Sequence, residues 1–283
     1  MKNSKIIGSL IIISVIIASA ILILQLGRPT PKPLEMGQVT RVRITVLVDN
    51  NPAASLSSPW GVSMFIETDN VSILFDAGPS PRALEENAAT LGINLSIMCD
   101  LAVLSHEHSD HIDGFSHVAV TNPHMTVCIP ANMTQSSTDH LINLGLNVKK
   151  YQETTVLYPG VAIIGQLNGP PFEQALAVNV QNIGLVLIVG CSHPGVENIL
   201  AKAVRELDAN DPYLVIGGFH LGSASESVIS NTVESLIKLG VQKIYPIHCS
   251  GDRIRDYLLI NYPDYYGDGQ VGFQLFLNGS SNT

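Results

Sequence analysis

Six consecutive residues, 106 to 111, include three imidazoles and the Asp110 carboxylate as candidate metal donors: His106, His108, Asp110 and His111. Neither a hydrophobic core nor a solvated loop needs so many strong metal donors together. The chain has nine histidines. Three of the others lie in short turns rich in Gly, Ser and Pro: Cys191-Ser-His193-Pro-Gly, Gly217-Gly-Phe-His220-Leu and Ile247-His248-Cys-Ser-Gly. In a tight loop, the two-residue spacing of His106 and His108 can turn both rings toward one ion. Asp110 and His111 can address a second ion a few ångströms away, and His193 and His248 can complete the two shells. His220 is a further ligand, or else faces the substrate as an acid or anion donor. A nitrogen-rich donor set with one or two carboxylates suits Zn²⁺, with Fe or Mn as alternatives. Two divalent ions about 3.5–4 Å apart would hold a hydroxide, polarise a carbonyl or phosphoryl oxygen and steady the leaving oxygen. Since metal-bound water can have a pKa near 7, no separate strong base is needed. Asp110 would both ligate and orient the attacking hydroxide, so Asp110 and His220 are the candidate catalytic groups. His117, His124 and His140 fit no such pattern.

The donors need elements to carry them, and the chain supplies strand-to-turn junctions at each. Arg41–Asp49 alternates apolar and polar residues and reads as a strand, followed by strands at Met64–Glu67 and Val71–Phe75. Asp76-Ala-Gly-Pro79 stops the third strand and leaves Asp76 at its end, either as a partner for a ligand imidazole or as a simple turn former. Leu101–Leu104 is a short apolar run that delivers His106 directly into the next loop. Strand-like runs follow at Thr126–Ile129 and Val161–Leu167, and Ala175–Val180 with Leu185–Val189 reads as a hairpin. Helices are expected over Pro81–Leu91, with Gly92 beyond its end, and over Ser137–Leu144. The last third repeats one unit three times: strand, histidine turn, helix. The strands are Leu185–Val189, Tyr213–Ile216 and Lys243–Ile247, and the helices are Pro194–Leu207, Glu226–Leu239 and Asp252–Leu259. A strand over Val271–Leu277 closes the chain. An α/β layered scaffold brings such loops to one edge.

Before this lies a different composition. Residues Ile6 to Leu26 carry no charge, and twenty-one helical residues span about 31 Å, enough to cross a bilayer core. Lys2 and Lys5 form a basic head, and Arg28-Pro-Thr-Pro-Lys-Pro33 is a stiff spacer. We read 1–5 as head, 6–26 as a transmembrane anchor, 27–38 as linker and 39–283 as the catalytic domain. A cleaved signal peptide ending near Ala18-Ser-Ala20 is the alternative. The expectation is a single-pass membrane protein with its catalytic domain outside the cytoplasm, although charges flank the segment on both sides. The formal charge of -9, with 15 Lys plus Arg against 24 Asp plus Glu, argues against nucleic acid as a partner. A small substrate, including an anionic one, suits the metals better. Four cysteines permit two disulfides or none; Cys191 and Cys249 adjoin ligand candidates and read as inner-wall residues or secondary donors. The oligomeric state is not set by these features.

His106-Glu-His-Ser-Asp-His111 resembles the defining motif of the metallo-β-lactamase-like hydrolases. Gly61-Val-Ser-Met-Phe-Ile-Glu67, Leu74-Phe-Asp-Ala-Gly78, Glu173-Gln-Ala-Leu, Gly190-Cys-Ser-His-Pro-Gly195, Gly217-Gly-Phe-His-Leu221 and His248-Cys-Ser-Gly251 resemble, in order, a subgroup described as dihydropterin–ribofuranosylaminobenzene-phosphate synthases. The likeness covers about residues 42 to 277. It implies an α/β fold, an αββα sandwich of two mixed β-sheets flanked by helices, here preceded by the transmembrane helix. It also implies that His106, His108 and His193 hold one metal and Asp110, His111 and His248 the other. The chain departs from the familiar hydrolases at Gly190-Cys191, where a Gly-Asp pair usually supplies a bridging carboxylate. The function expected first is metal-dependent hydrolysis of a small ester, phosphoester or lactam-type substrate by metal-bound hydroxide. The alternatives are a transferase like the synthase subgroup, and a non-catalytic, membrane-tethered metal-binding or sensory domain.

Overall fold

The apolar residues of the central strands sort into two sets by parity, and that sorting builds the molecule. In Gly184–Val189, which is buried along its whole length, Leu185, Leu187 and Val189 face one cluster and Val186 and Ile188 another. In Phe172–Val180, Ala175 and Ala177 join the first cluster, Leu176 and Val178 the second. Strands with two apolar faces need a layer on each side.

The computed structural model describes residues 32–280 except residue 54, and a compact unit begins at Pro33. Its strands are β1 (Leu34–Glu35), β2 (Arg41–Val48), β3 (Ser63–Thr68), β4 (Ser72–Phe75), β5 (Leu101–Val103), β6 (Thr126–Pro130), β7 (Asn147–Tyr151), β8 (Thr155–Tyr158), β9 (Val161–Asn168), β10 (Phe172–Val180), β11 (Gly184–Val189), β12 (Leu207–Asp208), β13 (Pro212–Gly218), β14 (Lys243–Ile247) and β15 (Gln274–Asn278). The helices are α1 (Pro81–Thr90), α2 (Leu95–Met98), α3 (Ser109–Ile112), α4 (Phe115–Thr121), α5 (Gln135–Asn143), α6 (Val196–Glu206), α7 (Glu226–Lys238) and α8 (Asp252–Asn261).

Seven strands form one sheet in the order β15-β2-β3-β4-β5-β6-β7, and six form the other in the order β14-β13-β11-β10-β9-β8. Both are mixed: β4, β5, β6 and β7 run parallel in the first, β11, β13 and β14 in the second. The sheets pack face to face through residues such as Ile44, Ile66, Ile73, Leu176, Ile188 and Ile216. Full burial of side chains this size is worth about 1.5–3 kcal/mol each relative to exposure. Helices α6, α7 and α8 cover the outside of the second sheet through Ile199, Val233 and Leu258. Helices α1, α4 and α5 cover the first through Leu84, Phe115 and Leu141. The result is an αββα sandwich.

Local chemistry sets the element ends. Ser80 accepts from the Ala83 amide at the start of α1, with Pro81 at its first position, and Ser225 caps α7 through Val228. The pairing of β2 with β3 shifts register between Val46 and Val48, and Val48, which alternation would place in the inter-sheet core with Val42, Ile44 and Val46, instead joins Leu47 against the helix layer. Such a bulge bends the strand where it ends, and the end of β2 presents Asp49 and Asn50.

Two edge elements were not legible. Asn147–Tyr151 and Thr155–Tyr158 are edge strands in which no residue is fully buried, so they carry no apolar alternation. Leu34–Glu35, within the expected linker, pairs with Leu207–Asp208. The closing strand starts at Gln274, not Val271.

The membrane expectation is corrected. Among the described residues no helix is long and apolar enough to cross a membrane. The segment 6–26 lies outside the described residues, so the structure gives no support to a preceding transmembrane helix, a signal anchor, a membrane partner or single-pass localisation.

Gly114 packs against the turn after β4: its amide donates to Gly78 O at 2.9 Å, and a Cβ there would lie 1.9 Å from the Ala77 carbonyl oxygen. Backbone cannot yield as a flexible side chain can. Gly114→Ala is expected to cost about 1–3 kcal/mol or more in denaturant titration, against about 1 kcal/mol for Gly145→Ala, where only the positive φ opposes a side chain.

Candidate metal centre

Parallel strands end together, so their following loops meet. The ends of β4 and β5 in one sheet and of β11, β13 and β14 in the other bring Asp76, the 105–111 loop, Cys191 to His193, His220 and His248 to one edge of the sandwich. Glu173 comes from the start of β10, which runs antiparallel to β11 and so begins where β11 ends. Ligand sites form at the carboxyl ends of strands in open α/β sheets for the same reason.

The imidazoles form a contiguous group. Ring centroids of His106 lie 4.7 Å from His108, 4.1 Å from His111 and 4.7 Å from His193. His111 lies 5.2 Å from His248, and His193 4.6 Å from His220. Asp110 Oδ2 is 3.2 Å from His248 Nε2 and 3.8 Å from His111 Nε2. All seven sequence candidates therefore meet. His117, His124 and His140 do not join them; the last two are exposed, and His117 is half-buried near Glu85.

Each buried imidazole has its Nδ1 committed. His111 Nδ1 donates to Asp76 Oδ2 at 2.6 Å, and His193 Nδ1 donates to Glu173 Oε2 at 2.9 Å. His248 Nδ1 donates to Asn50 Oδ1 at 2.9 Å. Ser105 gives its own hydroxyl proton to Asp76 Oδ2 at 2.7 Å, so it accepts from His106 Nδ1 at 2.9 Å. These bonds fix the tautomers and leave the Nε2 lone pairs of all four rings facing inward.

That geometry fits metal ions. His106 Nε2 and His108 Nδ1 face each other at 3.2 Å. Two nitrogens bound to one tetrahedral Zn²⁺ at about 2.0–2.1 Å are about 3.3 Å apart. His248 Nε2 is buried without a hydrogen-bond partner: its approach to Asp110 Oδ2 has the separation of a hydrogen bond but not the alignment. Two acceptors held side by side suit a shared cation. His/Cys/Asp groups with metal-binding spacing are Asp110, His111, Cys191 and His248; His106, Cys191 and His193; and Cys191, His220 and Cys249.

Electrostatics agree with ligand states at His106, His108 and Asp110. Burial and the neighbouring rings, His111 first, push His106 well below the ordinary imidazole value, and burial together with His193 lowers His108. Both are thus neutral donors near pH 7. Burial raises Asp110, but His248 and His111 outweigh it and hold the carboxyl far below its usual range. His111 behaves oppositely: burial would lower it, and Asp76 more than compensates.

The fixing carboxylates are themselves saturated. Glu173 Oε1 accepts from the amides of Cys191 (2.8 Å) and Ser192 (2.7 Å), and its Oε2 from the His193 amide (2.7 Å) and ring. Asp49 Oδ1 accepts from the His248 amide at 2.7 Å. Gly190 is required by close approach, since a Cβ would lie 2.1 Å from Ser105 Oγ. Asp76, Ser192, His220 and His248 all adopt positive φ. Such conformations cost of order 1–3 kcal/mol in non-glycine residues and gather at functional sites. The sequence offered Asp76 as a partner, but not the roles of Glu173, Ser105, Asp49 or Asn50.

Beside the centre lies a cleft of roughly 740 Å³, lined by Asn50, Trp60, His220, Ser223, His248 and Asp252 among others. Among the described residues, no Lys or Arg lines it. Trp60 is 59% exposed, and its ring centroid is 5.0 Å from that of His248.

No protein-family model matches the chain. Among curated proteins it is 27% identical over 271 residues to the 7,8-dihydropterin-6-methyl-4-(β-D-ribofuranosyl)-aminobenzene-5'-phosphate synthase of Methanocaldococcus jannaschii, covering 77% of this chain and 90% of that protein. An uncharacterised protein of the same organism is 26% identical over 247 residues, covering 74% and 90%. Among solved structures, Tm1679, described as a metal-dependent hydrolase of the β-lactamase superfamily, superposes with a TM-score of 0.71 at 25% identity, covering 84% of this chain and 99% of that one. A diphosphatase from the PhnP family shares the fold, with a TM-score of 0.59 at 17% identity and coverage of 85% and 98%.

Glu173→Gln would turn an NH₂ group toward backbone donors and loosen His193. Zn²⁺ affinity, read by competition with a chromophoric chelator, should fall about 10–100-fold. Four donors, His193 foremost, outweigh burial and lower the Glu173 pKa. The unfolded chain therefore takes up that proton first. Its stabilisation is whole above the ordinary glutamate value and is lost as pH falls through the depressed folded one. Acid unfolding of Glu173→Gln should accordingly depend less steeply on pH than that of the parent.

Proposed function

We propose that this chain, a metal-dependent hydrolase of the metallo-β-lactamase-fold superfamily, cleaves a small ester, phosphoester or lactam-type substrate seated in the Trp60 cleft. The observation that carries the reading is the cluster of inward-facing ring nitrogens, with His248 Nε2 buried and unpartnered and His106 Nε2 facing His108 Nδ1 at 3.2 Å. His106, His108 and His193 would hold one divalent ion; Asp110, His111 and His248 would hold the second. Zn²⁺ suits these donors best. When bound, the ions supply a Lewis acid for the substrate oxygen and lower the pKa of a bound water.

The residues of the chain do the rest. Asp110, whose carboxyl lies far below its usual range, accepts a hydrogen bond from the attacking water and orients it. His220 stands at the cleft wall, 4.6 Å from the His193 ring, where it can donate a proton to the leaving oxygen. Its bond to Cys249 raises its pKa, favouring the protonated donor. Trp60 offers an apolar face to the organic part of the substrate. With no Lys or Arg among the described residues that line the cleft, an anionic group would depend on the ions for compensation.

A second reading has a specific support. The 27% identity to the dihydropterin synthase extends over 77% of the chain, and the motifs quoted above follow its subgroup in order. In that reading the same donors would polarise a pterin diphosphate leaving group while an aromatic partner lies against Trp60. The domain limits of 39–283 and the ligand assignments serve both readings.

The test is an activity screen of the metal-loaded protein against phosphodiesters, lactones, thioesters and the pterin pair. Turnover should vanish with a chelator and return with Zn²⁺. It should fall at least about 100-fold in His108→Ala, while His220→Ala should lower kcat more than it raises KM. Consumption of pterin diphosphate that requires the aminobenzene partner would place the transferase first. Turnover unaffected by metal removal would end both readings.

A further inference from the structure

Four cysteines are buried among the described residues, but in two different settings. Cys99 and Cys128 belong to apolar clusters, Cys99 with its sulfur 3.2 Å from the Leu101 carbonyl oxygen. Cys191 belongs to none. It is 3% exposed, and its Sγ lies 3.1 Å from His111 Nε2. An inner wall could be built from any small residue. A thiol among imidazoles and a carboxylate has a chemical use.

Its position is unusual in a second way. Cys191 is common to the group containing Asp110, His111 and His248 and to the group containing His106 and His193, with the ligand atoms of each group all within 4.8 Å of one another. A donor that reaches both sets lies between them. The sulfur is also preset, because the Cys191 amide is held by the same Glu173 carboxylate that holds His193. A thiolate and an imidazole on one tetrahedral Zn²⁺, at about 2.3 and 2.0–2.1 Å, stand about 3.6 Å apart, so a shift of a few tenths of an ångström converts the observed contact into shared ligation.

The geometry points to Cys191 Sγ as a thiolate ligand shared by both metal ions, bridging the His106/His108/His193 site to the Asp110/His111/His248 site. This rests on the two-ion reading given above. On ligation the S–H proton passes to solvent, and one sulfur lone pair goes to each ion. The thiolate and the Asp110 carboxylate then offset two of the four positive charges brought by the ions. The centre keeps a net positive charge with which to meet a substrate oxygen. Cys249, whose sulfur lies 3.8 Å from the Cys191 carbonyl oxygen and groups with Cys191 and His220 rather than with either ion set, is not part of the bridge.

Cobalt substitution tests the sulfur directly. The full chain is titrated with Co²⁺ under reducing conditions, following the visible d–d bands for uptake and the near-ultraviolet sulfur-to-cobalt charge-transfer band for ligation. The expected result is uptake of two equivalents, with the charge-transfer band growing through both. Cys191→Ser should lose that band and bind the second equivalent at least about tenfold more weakly, whereas Cys249→Ser should retain it. Cys191→Asp, which keeps a bridging donor, should restore two equivalents without the band. Should Cys191→Ser fail to fold, the parent titration and Cys191→Asp decide. Full d–d bands with no charge transfer in the parent would overturn the sulfur ligand and leave the two-ion reading standing. A charge-transfer band that saturates at one equivalent would overturn the bridge, and so would a band that survives in Cys191→Asp. Failure to take up cobalt at all would sink both this inference and the two-ion reading.

Discussion

The Glu173 carboxylate, buried and accepting four hydrogen bonds from Cys191, Ser192 and His193, is the interaction on which the rest of the centre depends. A buried charge is costly unless hydrogen-bonded, and losing one of its partners is worse than never having had the group. Here three backbone amides and one ring N–H meet it in a single turn. The turn after β11 can therefore take only one shape, and that shape sets His193 and Cys191 together. Asp76 does the same in the other sheet for His111 and the Ser105 loop. Two fixed negative charges, one per sheet, thus aim the ring nitrogens at a common space.

This arrangement explains why the sandwich is needed. Each sheet contributes only part of the donor set: His106, His108, Asp110 and His111 follow β5, while His193, His220 and His248 follow β11, β13 and β14. Neither sheet alone can close a shell around an ion. The inter-sheet core of Ile, Val and Leu sets their separation, and close-packed interiors deform little. Left-handed backbone at Asp76, Ser192, His220 and His248 is the local cost of turning strands abruptly into inward-facing loops.

Much of this was legible from residues alone, because donor type and spacing are local properties. The His106–His111 run, the three histidine turns and the parity of Leu185–Val189 each carry their meaning within a few residues. What the chain order hid was long-range. Glu173 opens a strand and has the look of an ordinary polar end; only antiparallel pairing with β11 puts it beside His193. Asn50 and Asp49 are fixed to a site about 200 positions away by the bulge in β2. The edge strands β7 and β8 escaped because an edge exposes its side chains and loses the alternation that marks a strand. The membrane reading rested on the apolar length of 6–26, which lies outside the described residues.

Trp60 is the chain's sole tryptophan, and it leans over His248 at the cleft wall. All indole emission from the protein consequently originates at the rim of that cleft. An indole in ring contact with His248 is placed where anything that enters the cleft must alter its surroundings, so the unlabelled protein carries its own fluorophore at that wall.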